Sequence, residues 1–174
     1  LGRAPGSDQA TSQALRRSPA AGEDFPHEVG ELMYWFAPEQ EGQRVTAVPG
    51  AGLKVPIWIL GSWTWGAKFA AVNGFPYAFD SHFRPQMMMQ ALELYRKLFK
   101  PSAWLDKPYA MLGMNVVIAD TDAEAKLLYS SRQQSTLAIR YGRRNLLQPP
   151  VPDFEAKLSP AERAVLDELL PGTV

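Results

Sequence analysis

Apolar and polar residues change period several times along this chain, and each change marks a predicted element. Residues 57–60 are nearly all apolar, the pattern of a short strand covered on both faces in a parallel sheet. Residues 65–73 follow as an amphipathic helix, with Phe69 and Val72 expected toward the core and Lys68 and Asn73 outward. Gly74 stops that helix, Pro76 prevents its return, and residues 77–79 form the next strand. Residues 86–100 give the clearest helix, its apolar face Met88, Ala91, Leu92, Tyr95, Leu98 and Phe99 recurring at three and four, with Pro101 closing it. Residues 109–119 are the longest apolar run and are predicted as a strand. Thr121 and Glu124 then form a capping box for a long helix to about Tyr141.

The flanks are less regular. Residues 1–6 read as a strand end entering a Gly/Pro turn, and Ser7 is placed to cap a helix to about Arg17. A second helix opens at Asp24, Phe25 and Pro26, carries Val29, Leu32, Met33 and Phe36 on one face, and ends before Pro38. Residues 39–54 are a polar connection with one extended piece at 44–48; Gly50 and Gly52 lack the rest of a phosphate-loop or dinucleotide motif. Residues 145–158 form a Pro-rich link to a last helix, capped by Ser159 and Glu162 and ending near Leu170. Strands alternating with helices predict an α/β fold with a parallel sheet and right-handed crossovers, in one domain over 1–174.

Composition narrows the function. Eighteen basic residues balance eighteen acidic ones in 174, so no cationic surplus exists to concentrate nucleic acid. Cysteine is absent, which removes thiolate metal sites and cysteine nucleophiles and fits a reducing cytoplasm. No apolar run approaches the roughly 20 residues of a membrane helix. A cytoplasmic protein, binding neither membrane nor nucleic acid, is expected, and the start at Leu1 suggests a partial or processed chain.

Ligands of parallel α/β folds bind outside the carboxyl ends of strands. That rule singles out residues 61–66 and 80–82. Ser62 and Thr64 lie in a turn before a helix, where free N–H groups and the helix dipole suit an anion, although both could simply cap the helix. Of the two histidines, His27 reads as solvated, whereas His82 follows a strand end beside Asp80 and Ser81. Those three neighbours diverge from one another and are not a hydrolase triad, and no histidine pair stands at metal-ligand spacing. Arg3, just past the first strand end, could hold a phosphate or face an electron-rich ring. The cations Arg140, Arg143 and Arg144 read as a solvated helix terminus.

The runs Gly2-Arg3-Ala4-Pro5-Gly6, 55–62, 75–83, 91–102 and 109–125, in this order, resemble the bacterial luciferase-like flavin monooxygenase family. The resemblance implies a (β/α)8 TIM barrel, of which this chain covers about the second half, from the end of strand four to beyond strand seven. It also implies an FMN-dependent monooxygenase that takes reduced flavin from a separate reductase and uses O2 to oxidise an aldehyde or other small organic substrate. A deazaflavin is the lesser alternative as cofactor.

By motif position, Gly2, Arg3 and Ala4 match the edge beside the flavin ring. Gly61, Ser62, Trp63, Thr64, Trp65 and Gly66 match the turn that holds the flavin phosphate, and Phe79, Asp80, Ser81 and His82 face the substrate pocket. Arg3 and His82 are the candidate catalytic residues. Two departures stand out. Trp63 and Gly66 replace hydroxyl residues of the family's turn, which predicts a crowded phosphate site that Trp63→Ser would relieve. Asp80 replaces a small residue and brings a negative charge toward an anionic flavin. Half a barrel leaves strand edges that call for a homo-oligomer or a complementing chain. The other readings are a non-catalytic flavin-binding relative and a fragment with a structural or dimerising role.

Overall fold

The computed structural model describes residues 1–3, 9–16, 22–143 and 146–170. At its centre three short strands, β1 (Ile59–Gly61), β2 (Tyr77–Phe79) and β3 (Ala110–Leu112), pair in parallel in chain order. The register sets Ile59 beside Tyr77 and Tyr77 beside Ala110. Gly2 adds a parallel bridge to Leu60 on the far side of β1, so the first residues act as a further strand. The Leu60 N–H donates to the Leu1 carbonyl at 2.6 Å and the terminal ammonium of Leu1 to the Trp58 carbonyl at 2.7 Å.

Two helices make the crossovers between the strands. α1 (Gln9–Ala14) and α2 (Phe25–Phe36) precede the sheet, α3 (Thr64–Val72) joins β1 to β2, and α4 (Met88–Leu98), entered through a 3₁₀ turn at Pro85–Met87, joins β2 to β3. The Ser7 cap foreseen for α1 lies outside the described residues. The buried face of α3 is made of Gly66, Ala67, Ala70 and Ala71. Val72, expected in the core, is instead 39% exposed. The small residues explain this: without long side chains between them, helix and sheet approach closely, and the helix turns its alanines rather than Val72 inward. α4 buries Ala91, Leu92 and Tyr95, with Met88, Leu98 and Phe99 packed beside them, the face its spacing predicts.

Tyr95 ties the layers together. Its hydroxyl donates to the Phe75 carbonyl at 2.8 Å and receives the Tyr109 N–H at 3.1 Å, so one α4 side chain holds the entries of β2 and β3. α2 closes the other side, Phe25 meeting Trp65 and Phe69 edge-on at 6.0 and 5.8 Å between centroids. Gly74 ends α3 at φ +66 in the left-handed region that favours glycine.

The long strand predicted over 109–119 is shorter than its apolar run. Pairing stops at Leu112 because β2 ends at Phe79, and no strand among the described residues lies on the outer side of β3. After Gly113, whose N–H still donates to the Phe79 carbonyl at 3.0 Å, residues 114–119 continue outside the sheet, with Met114, Val116 and Ile118 exposed. The extended piece predicted at 44–48 forms no strand either, and Val45 and Val48 are exposed.

Beyond the sheet, α5 (Asp122–Arg140) starts at Thr121, whose hydroxyl accepts the Glu124 N–H. α6 (Pro160–Leu169) carries a reciprocal capping box between Ser159 and Glu162. The two helices share a second apolar cluster of Leu137, Leu166 and Leu170. The buried face of α5 is otherwise polar: the Ser130 hydroxyl accepts the Val151 N–H, and the Gln133 amide donates to the Glu155 carboxylate at 2.8 Å. No helix among the described residues is long and apolar enough to cross a membrane.

Candidate functional site

Parallel strands in register bring their carboxyl ends to one edge, and the residues singled out in the sequence gather there. Gly2 and Arg3 follow the first extended segment, Gly61 to Gly66 form the turn from β1 into α3, and Asp80, Ser81 and His82 follow β2. Ala4 lies outside the described residues.

Tyr77 shapes the turn from below. Its hydroxyl reaches the carbonyls of Gly61 at 3.2 Å and Trp63 at 3.4 Å, and burial, then the Asp80 charge, hold its phenol well above the ordinary range. Gly61 and Gly66 face one another: a Cβ on Gly66 would stand 3.6 Å from the Tyr77 ring and 3.7 Å from the Gly61 Cα. A serine would therefore fit at position 66, and what this turn lacks is its hydroxyl, not room.

Trp63 occupies the N-cap of α3 in extended conformation, and no side chain among the described residues caps the helix. The capping alternative for Ser62 and Thr64 is thus not realised, and the first-turn N–H groups lack a side-chain acceptor, which an anion would supply. Two guanidiniums flank this turn. The Arg3 Cζ lies 4.3 Å over the Trp65 ring and the Arg84 Cζ 4.6 Å over the Trp63 ring. Trp63 itself is 50% exposed.

Asp80 brings an acid to this edge. Burial pushes its carboxyl above the ordinary 3.8, against smaller opposing effects of its own backbone N–H, the Ser62 hydroxyl, His82 and Arg84. Its Oδ1 is buried and has no hydrogen-bond partner among the described residues. Burial thus works against the charged form of this carboxyl.

Beyond Asp80 the strands are cross-tied. The Ser81 hydroxyl donates to the Gly113 carbonyl, and the His82 ring lies so close to Gly113 that a Cβ there would meet Nδ1 at 2.5 Å. His82 also packs on Phe83 at 4.7 Å between ring centroids, and its carbonyl receives Arg132 of α5 at 3.4 Å. Ser81 and His82 open onto a cavity of about 380 Å³, whereas the buried Phe79 faces the core. Sequence reasoning missed Arg84, Arg132 and Gly113. Only Gly113 carried a signal, a glycine inside an apolar run, which marks close approach by another group. No cluster of three histidine, aspartate or glutamate side chains suited to a metal exists among the described residues.

An uncapped helix start flanked by two guanidiniums suits an anionic group, which N–H donors and cations would meet together. A family model described as luciferase-like monooxygenase matches residues 16–166. A luciferase-like monooxygenase of Escherichia coli K12 is 46% identical over 171 residues, 98% of this chain and 51% of that protein. Protein YvbT of Bacillus subtilis 168, named as uncharacterized, is 46% identical over 175 residues, 100% of this chain and 52% of that protein. The crystal structure of apo-MsnO8 superposes with a TM-score of 0.72 at 27% identity, over 98% of this chain and 48% of that one. The chain spans about half the length of the curated relatives it matches.

Proposed function

The chain belongs to the luciferase-like monooxygenase family, and from that premise we propose that it supplies the second half of a (β/α)8 barrel that binds FMN for a monooxygenase reaction. The observation that carries this reading is the α3 start, uncapped and flanked by Arg3 and Arg84. Ser62, Thr64 and the N–H groups of residues 64–66 hold the phosphate, while Gly2 and Arg3 border the ring. Reduced FMN, delivered by a separate reductase in the cytoplasm, supplies when bound the electrons that let one atom of O2 enter a small organic substrate.

The protein's own part is binding, orientation and exclusion of water. Arg3, fixed over Trp65, presents a cation to the ring edge. His82, held by Gly113 and Phe83, faces the cavity with an imidazole able to give or take a proton at the substrate. Strands from another chain, or from a second copy of this one, complete the sheet beyond β3.

Titration of the protein into FMN, followed by quenching of flavin fluorescence, tests the binding step; a saturable signal is expected. Oxygen uptake with reduced FMN and an aldehyde, in the presence of the completing strands, then tests the chemistry. Failure to bind FMN at any protein concentration would overturn the proposal for this chain.

A further inference from the structure

The molecule holds two separate apolar clusters. One lies between the sheet and α2, α3 and α4; the other joins α5 to α6 through Leu137, Leu166 and Leu170. Arg132, near the middle of α5, reaches from the helix of the second cluster to the edge of the first, where its Nη2 donates to the His82 carbonyl at 3.4 Å.

The same side chain carries a feature that packing does not explain. The Arg132 Nε is buried and has no hydrogen-bond partner among the described residues. An enclosed guanidinium N–H without an acceptor is unfavourable, and an apolar side chain of similar length would be buried there without that loss. Guanidinium donors, however, form a rigid planar fork, so aiming Nη2 at His82 also fixes the direction of Nε. The orphaned N–H is then a consequence of the contact with His82, which gives arginine at this position its reason.

His82 is thereby held from two layers. On the sheet side its ring lies against Gly113 and Phe83, and the preceding Ser81 donates to the Gly113 carbonyl. From the helix side Arg132 holds its backbone. A rotation of the 82–83 peptide would turn the ring off Gly113, and Arg132 opposes that rotation by keeping the carbonyl in place.

We propose that Arg132 is a positioning residue: through the His82 carbonyl it fixes the direction of the imidazole, so that α5, and not the end of β2 alone, decides where that ring points. That the ring then serves a substrate rests on the proposed function; its positioning is measured without flavin or substrate, so failure here is told from failure of the FMN titration.

The chain holds two histidines, His82 and the exposed His27 of α2, which makes the ring directly observable. Protein labelled at its histidine rings is followed by carbon–proton NMR, with His27→Gln assigning the two Cε1–H signals. Arg132→Gln should displace the His82 signal and give it the relaxation of a mobile ring, while the His27 signal stays in place. Arg132→Met, of similar length and without a donor, should do the same and serves if the glutamine variant does not fold. Arg132→Lys, which keeps a cationic donor, should bring the signal back toward that of the parent. Ser130→Ala is the control for a structural role: Ser130 is buried on the same helix and its hydroxyl accepts the Val151 N–H at 2.8 Å, so this variant should lower the melting temperature and leave the His82 signal where it was. A His82 signal that stays in place in a folded glutamine or methionine variant overturns the proposal, as does equal displacement by Ser130→Ala, or a lysine variant no nearer the parent than the glutamine one.

Discussion

The guanidinium carbon of Arg84 lies 4.6 Å from the centroid of the Trp63 ring, so a residue beyond β2 reaches back over the N-cap of α3. From the sequence alone Trp63 is an obstruction whose replacement by serine should tighten FMN binding. With Arg84 resting on it, the ring is a platform that keeps a cation at the helix start, and the expectation reverses. Trp63→Ser and Arg84→Gln should each weaken FMN binding by about 1 kcal/mol, roughly fivefold. Because both act through one contact, the double variant should lose little more than either single one. Calorimetric titration of the four proteins decides it, and tighter binding by Trp63→Ser would restore the obstruction reading.

Asp80 makes stability depend on pH. Its folded pKa is raised above the ordinary 3.8, mainly by burial, so its stabilising contribution is complete below that value and is lost as pH rises through the folded pKa. Asparagine cannot ionise and mimics the neutral carboxyl. Asp80→Asn should therefore be more stable than the parent at pH 7, where the parent carries a charge that burial opposes, and the gain should shrink as falling pH protonates Asp80 in the folded protein. His82, Arg84 and the Tyr77 phenol face the group in both proteins. Urea unfolding across pH 4 to 8 measures it; a difference that stays constant with pH would rule out this origin.

The sequence reads well wherever local chemistry decides the outcome. Tyr77 to Phe79 are predicted and found as a strand because Pro76 and the polar Asp80 bound them on both sides, and the Ser159–Glu162 box fixes the start of α6. It reads poorly where the answer lies in distant approach. The run 109–119 has strand chemistry throughout, yet pairing requires a neighbour, and β2 offers three residues. α5 buries Ser130 and Gln133, which no hydrophobic period marks, because their partners sit in the later connection. The candidate site follows the same division. The rule about strand ends finds the Gly61 turn and His82, whereas Arg84 over Trp63 and Gly113 against His82 exist only once the chain has folded.

Gly74 offers a test of the α3 exit. It sits at φ +66, and a Cβ there would stand 2.7 Å from the Lys100 carbonyl oxygen and 2.6 Å from the Ser102 hydroxyl, which itself donates to the Gly74 carbonyl at 2.9 Å. Backbone cannot yield as a flexible side-chain tip can. Gly74→Ala should cost about 2–3 kcal/mol, combining the left-handed conformation with overpacking. A midpoint of thermal unfolding within a degree of the parent would contradict the close approach of the 100–102 segment to the end of α3.

The open side of β3 carries the strongest consequence for how the chain works. Ile118 is 85% and Met114 70% exposed, and both lie on the extension of β3, an edge strand with no neighbour on its outer side among the described residues. An apolar, unpaired edge of this kind templates further pairing. A chain that spans about half the length of its relatives would bury it against additional strands. In their absence a second copy is the partner available in solution. Sedimentation velocity should therefore show association that grows with concentration, and Met114→Lys with Ile118→Lys should shift the protein toward the monomer, since a charged edge resists pairing. Because both side chains are exposed, the unfolding free energy of the monomer should change by no more than about 0.5 kcal/mol, which separates a lost interface from a damaged fold. A parent protein that stays monomeric at every concentration, or a lysine variant that associates as well as the parent, would show that this edge is not where the sheet is completed.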